Sequence, residues 1–358
     1  MGESGTEAFF ESALHTFHAA AERSGIVRSQ YRIGDRTVRL EFAGTALTPL
    51  RRALAHLETA DATPPNLTVE VWDSESTGTR PLERNWIEND RGEPREASFV
   101  SGERFHSEFH DVAGIRYMLD SSRDLGLYCI EDARDLPLYE KAAPMRPLLH
   151  AWLHRQGLVP AHAGAVGFEW GGVLLAGKGG RGKSCTALSC VGSNLGYASD
   201  DFCVLASAPR WTGYSMYGTG KLHRRDLERF GHLAQCPTES VSAQEEKVVF
   251  FLNEHAPSQM LSRFPILAVL LPTPASGGET QVAAISSSVV YRELSMSTIL
   301  MAPPTVVPAF RSFARLLREV PCFELRIGAD SRQIPGVICD LIYRLAGRAK
   351  GSEDANSL

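Results

Sequence analysis

The chain has 358 residues, 43% of them hydrophobic, and a formal net charge of -5. That length can bury a sizeable core and favours two domains over one, while the mild acidity argues against nucleic acid or an anionic membrane as the main partner. No apolar run is long enough to span a bilayer, and the start, Met1-Gly2-Glu3-Ser4-Gly5-Thr6-Glu7, is acidic and polar, unlike a signal peptide; a soluble, cytoplasmic protein is expected. The seven cysteines include no CxxC pair. They read as small core residues in a reducing compartment, Cys185, Cys190 and Cys203 among them, rather than as disulfides or metal ligands.

Phe9, Phe10, Leu14 and Phe17 fall at helical spacing. Residues 26–33 and 37–42 then alternate around Gly34-Asp35, which predicts a β-hairpin. Thr48-Pro49 opens a helix to about Glu58, 67–72 alternates as a strand, and 74–95 is polar and rich in turn formers, a surface loop. Strands are predicted again over 104–109, 114–119 and 125–130. Residues 1–143 therefore read as a β-rich N-terminal module. Its aromatics Trp72, Phe105, Phe109 and Tyr117 could line a ligand groove, although strand spacing suits core. Pro144 opens a helix through Leu148, Leu149, Trp152 and Leu153 that is expected to link two domains over 144–157.

In the second half, 159–166 and 172–176 flank Gly167-Phe168-Glu169-Trp170-Gly171 as a hairpin. It feeds Gly177-Lys178-Gly179-Gly180-Arg181-Gly182-Lys183-Ser184, which fits GxxxxGK[ST]. Glycines let successive N–H groups curl around phosphate oxygens, Lys183 can reach the outer phosphates, and the Ser184 hydroxyl can ligate Mg²⁺. The context is right: an apolar strand precedes the loop, and 184–191 can form a helix that stops at Gly192 and adds its partial positive charge.

Asp200-Asp201 stands at the start of the apolar run 202–205. On a strand the two carboxylates point to opposite sides, so one could meet Mg²⁺ beside Ser184 and the other an acceptor hydroxyl; a solvated turn pair is the plain alternative. His162, on the strand 159–166, could contact phosphate or orient an acid, or be a hydrogen-bonded structural residue. Lys247 enters the apolar run 248–252 and could reach the phosphates or be a solvated flank. Lys221, Arg263 and Arg292 are undifferentiated cations that could neutralise a phosphoryl group or hold an acidic peptide terminus. A helix over 304–320, a strand over 322–327 and a helix over 334–346 complete an α/β core, and 350–358 reads as a disordered tail.

The sequence His162-Ala163-Gly164-Ala165-Val166, a hairpin, the GKGGRGKS loop, a short helix and Ala198-Ser199-Asp200-Asp201, in that order, resembles the HPr kinase/phosphorylase catalytic domain over 158–205. The resemblance implies an α/β fold: a P-loop kinase core of the HPr kinase/phosphoenolpyruvate carboxykinase type over 158–349, with a mostly β N-terminal domain. It implies ATP and Mg²⁺, bound through Gly177, Lys178, Gly179, Gly180, Arg181, Gly182, Lys183, Ser184 and Cys185, with Ser184 and Asp201 on the metal. It makes His162, Lys183, Asp200 and Asp201 catalytic, the acid pair supplying the general base.

The family's Ile-Glu-Ile-Arg-Gly segment has no counterpart over 204–230, where Tyr214-Ser215-Met216-Tyr217-Gly218-Thr219-Gly220-Lys221 stands, which argues against HPr as acceptor. The layout is more similar to the HPr-kinase-like proteins of lasso-peptide biosynthesis, which implies a serine kinase acting on a ribosomal precursor peptide. The expected partner is a peptide or protein with an acceptor serine, with no nucleic acid and no membrane, and homo-oligomerisation is left open. A kinase for a small metabolite and a non-catalytic ATP-binding regulatory protein are the alternatives.

Overall fold

A computed structural model describes residues 3–355 apart from 62, 83–85, 89–93, 97–98, 111–113, 234–235, 237, 240–245, 276 and 300–306. The chain divides into two units, Met1–Gln156 and Gly157–Leu358.

The first unit opens with α1 (Glu3–Ser24), then β1 (Val27–Ile33) and β2 (Arg36–Ala43). These two strands are the expected hairpin: Ile33 pairs with Arg36 across Gly34-Asp35, and Gly34 takes the positive φ of 67° that the tight turn needs. There follow α2 (Leu47–Leu54), β3 (Leu67–Asp73), α3 (Ser74–Thr77), β4 (Trp86–Glu88), β5 (Pro94–Glu96), β6 (Phe99–Ser101), β7 (Phe105–His110), β8 (Ile115–Asp120), β9 (Leu125–Ile130), α4 (Leu138–Ala142) and α5 (Arg146–Arg155).

Seven of these strands form one sheet in the order β1-β2-β3-β9-β8-β7-β6. Phe10, Ala13, Phe17 and Ala20 repeat at helical spacing along α1 and bury against Trp72, Phe105, Met118, Leu127 and Cys129. Trp72, Phe105 and Tyr117 are therefore core rather than groove.

Two expectations are corrected here. The loop over 74–95 begins instead as α3, because the Asp73 side chain accepts from the Ser76 N–H and caps a helical turn, and it continues into the β4–β5 hairpin. The helix placed at Pro144 starts at Arg146, with Pro147 in its first turn. It packs on β7 and β8 and falls within the first unit, at its end.

The second unit runs β10 (Val159–Ala161), β11 (Gly164–Phe168), β12 (Gly171–Leu175), α6 (Lys183–Ser189), β13 (Gly196–Ser199), β14 (Cys203–Ala206), β15 (Thr212–Ser215), β16 (Thr219–His223), β17 (Thr238–Glu239), β18 (Lys247–Phe251) and α7 (Leu252–His255). It closes with β19 (Arg263–Pro274), β20 (Gln281–Ala284), α8 (Ser287–Ile299), α9 (Val307–Glu319), β21 (Cys322–Ile327) and α10 (Ile334–Ala355).

A mixed sheet has the order β10-β14-β15-β19-β12-β11-β13, with β21 also on β19 and β20 on β21. The long β19 lies parallel to both β12 and β21. Covered on both faces, it reads as a continuous apolar run. Ala268 and Leu270 point into a core with Ala187, Leu188 and Ile338, while Val269 and Leu271 point into another with Leu294, Phe313 and Leu316. A separate three-stranded sheet has the order β16-β18-β17. The fold is mixed α/β with mixed sheets.

The helix expected over 304–320 is α9, with 304–306 outside the described residues. The tail expected from Lys350 continues α10 as far as Ala355, and 356–358 lie outside the described residues. All seven cysteines are free. No helix among the described residues is long and apolar enough to cross a membrane.

Candidate active site

The loop 177–182 leaves the carboxyl end of β12, between the ends of its parallel neighbour β19 and the start of α6, the end of parallel strands at which α/β folds place ligands. Gly177, Gly180 and Gly182 have φ of 135°, 82° and 91°, conformations that side chains resist. A Cβ on Gly179 or Gly180 would meet nothing within 4 Å, so the space beside these two residues is open. The first helical bond runs from the Thr186 N–H to the Gly182 carbonyl at 2.8 Å, which leaves the Lys183, Ser184 and Cys185 N–H groups without an intrahelical acceptor. Because α6 has only seven residues, an anion would be held by the loop amides and Lys183 more than by a helix dipole.

Lys183 is buried, and its Nζ donates to the Gly177 carbonyl at 2.5 Å across the loop. Burial lowers its pKa, and the nearby Asp201 and Asp200 oppose that shift. The loop is braced from α8, a helix that the sequence did not reveal. Glu293 accepts from the Lys178 N–H at 3.3 Å and from Arg181 Nη2 at 3.0 Å.

Asp200 and Asp201 do not lie on a strand. They form the bend between β13 and β14, so the expected alternation of their carboxylates does not apply. Ser199 closes the bend: its hydroxyl donates to the Phe202 carbonyl at 2.8 Å and accepts the Asp201 N–H at 3.1 Å.

The Ser184 hydroxyl is close enough to Asp200 to oppose the rise in its pKa, which makes Asp200 a candidate, beside the expected Asp201, to share a cation with Ser184. Asp200 is almost wholly buried and accepts the Lys221 N–H at 2.9 Å. Burial, reinforced by the charge of Asp201, pushes its pKa up to about 6.

Asp201 keeps 26% of its side chain exposed. It accepts from His162 Nε2 at 2.7 Å and Lys221 Nζ at 2.8 Å. Burial would raise its pKa, but the Lys221 charge, with His162, overcomes this and holds it well below the usual carboxylate range.

His162 sits in a break between β10 and β11, not within one strand over 159–166. There its N–H donates to Thr298 Oγ1 at 3.2 Å, Nδ1 meets Ser297 Oγ at 2.6 Å, and the ring stacks on Phe202. An ionised Asp201 can only accept, so Nε2 carries a ring proton, while Nδ1 faces both the hydroxyl and, at 3.2 Å, the carbonyl of Ser297.

Lys221 thus separates from the other cations. Arg263 and Arg292 are exposed, and among the described residues neither touches the acid pair. Lys247 begins β18 and is exposed, yet lies near enough to Lys183 to lower its pKa further. Glu293, Ser297 and Thr298 were missed because no local motif marks them. All three lie on α8, more than a hundred residues along the chain from their partners.

The hydroxyl of Ser184 and the carboxylates of Asp200 and Asp201 are hard oxygen donors, a chemistry that fits Mg²⁺. The positive-φ glycines, the free amides and Lys183 fit a phosphate chain.

No family model matches the chain, and no curated protein matches it. Among solved structures it is similar to the HPr(Ser) kinase/phosphatase from Coxiella burnetii, at 9% identity and a TM-score of 0.30, over 55% of this chain and 96% of that one.

Proposed function

We propose that the second unit is an ATP-dependent phosphotransferase of the HPr-kinase-like P-loop type. The observation that carries this reading is the meeting of a positive-φ glycine loop and its buried Lys183 with two carboxylates of opposed character. Binding alone needs no such pair. A bound Mg²⁺ would offset charge on the phosphates. Lys183 and the loop amides hold the triphosphate, and Ser184 with Asp200 would hold the metal. Asp201, ionised and partly exposed, takes the proton of the acceptor hydroxyl; the new O–P bond forms as the bond from the γ-phosphorus to the bridging oxygen breaks and ADP leaves. His162 and Lys221 keep Asp201 oriented and ionised.

The acceptor we propose is a serine hydroxyl of a peptide or protein, with a ribosomal precursor peptide of the lasso type as the first candidate. The sequence resemblance supports this finer assignment. The test is incubation of the protein with ATP, Mg²⁺ and serine-containing peptides encoded beside it, followed by mass spectrometry. The expected result is a phosphate on one serine, absent with Lys183→Ala. Efficient phosphorylation of a free sugar or amino acid, with every such peptide ignored, would overturn the peptide assignment in favour of a metabolite kinase.

A further inference from the structure

The β16–β18 ribbon brings a further lysine, Lys247, to this site. On β16, Lys221 and His223 are two residues apart and share a face, and His223 lies directly opposite Lys247 on β18. The other face of the ribbon, with Leu222 and Val248, is buried in the core beside Ala187 and Leu188 of α6. The ribbon is therefore fixed against the helix that follows the phosphate loop, and the face bearing Lys221 and Lys247 is the one whose Lys221 reaches Asp201.

Lys183, Lys221 and Lys247 differ in their partners. Lys183 is turned onto the loop and Lys221 is bound to Asp201. Lys247 is exposed and, among the described residues, has no acidic partner. The adjacent Glu246 carboxylate is 88% exposed and lies 4.0 Å from His223 instead. Arg181, another cation of the loop, is occupied by Glu293.

Resting on the reading of this site as a phosphotransferase, we infer that Lys247 is a phosphoryl-binding residue that grips the outermost phosphate of the nucleotide from β18, opposite the glycine loop. The γ-phosphoryl group gathers charge over three oxygens during transfer. An ammonium with no acidic partner among the described residues, carried on a braced strand, can meet that charge directly.

The test compares ATP and ADP, each with Mg²⁺, binding to the full chain by calorimetry. Lys247→Gln should weaken ATP about tenfold or more, the loss expected for a charge-assisted contact, and leave ADP within about twofold. Lys247→Arg should restore most of the ATP affinity. Equal losses for both nucleotides, no loss for either, or a change confined to the acceptor's KM would each overturn the assignment while leaving the phosphotransferase intact. A folded wild-type protein that binds neither nucleotide would remove the underlying reading and this inference together.

Discussion

Lys221 touches both members of the acidic pair: its Nζ lies 2.8 Å from Asp201 Oδ2, and its backbone N–H donates to Asp200 at 2.9 Å. The side chain and the main chain of one residue thus do separate jobs, and substitution removes only the first. Lys221→Met keeps the length and the N–H but deletes the charge that holds Asp201 ionised. The carboxyl pKa then rises, so protonation disables the base at higher pH. The acidic limb of the kcat profile should move to higher pH, and Lys221→Arg should bring it back toward the wild type. An unchanged profile in Lys221→Met would show that Asp201 is not the titrating base.

The two acids should fail differently. Asp201→Asn leaves the bend intact, since Ser199 closes it through backbone groups, but should lower kcat by about 10² to 10⁴, the range for losing a general base. Extra Mg²⁺ should not restore it. Asp200→Asn should instead raise the Mg²⁺ concentration needed for half-maximal rate, with partial recovery at high metal. A metal titration of both variants separates these outcomes, and an exchange of the two behaviours would reverse the roles assigned to the pair.

Glu293 holds the loop by one backbone amide and one guanidinium. Its pKa is lowered: burial works against this, and the Lys178 N–H and Arg181 overcome it. Removing this carboxylate gives up charge-assisted bonds of about 1.5–3 kcal/mol each at most. Glu293→Ala should therefore weaken nucleotide binding several-fold and speed hydrogen exchange at residues 177–182, with Glu293→Gln between it and the wild type. Unchanged exchange there would mean that the loop keeps its shape without α8.

The first unit carries an acid sensitivity of its own. His106 is buried on β7 opposite Leu119, and burial pushes its pKa down to about 4. The unfolded chain takes up that proton from about pH 6.5 downward and the folded one only near 4, so stability is full above 6.5 and falls as the pH drops toward 4. The loss at pH 4.5 should be about 2–3 kcal/mol from this one group. Urea denaturation of the whole protein at pH 7.5 and 4.5 should show His106→Gln less sensitive than the wild type by that amount. His56 shifts in the same direction and remains in both proteins; Glu70, raised to about 7 by burial, pulls the other way in both and cancels in the difference.

The sequence by itself determined what depends on near neighbours along the chain. The Gly34-Asp35 hairpin, the α1 stripe of Phe10 and Phe17, and the strand, loop and helix around Lys183 follow from turn chemistry, periodicity and glycine's access to positive φ. The identities of Lys183, Ser184, His162, Asp200 and Asp201 as site candidates were legible for the same reason, since motif spacing is local. What only the tertiary structure decided is which atoms face each other. A bend closed by Ser199, not a strand, carries Asp200 and Asp201 and sets where each carboxylate lies. Lys221 rather than Arg263 or Arg292 reaches the acids because β16 runs beside them. Glu293, Ser297 and Thr298 arrive from α8, across more than a hundred residues. Such contacts are set by how buried apolar faces stack, and a helix such as α8 carries no sign in its own residues of which loop it will land on.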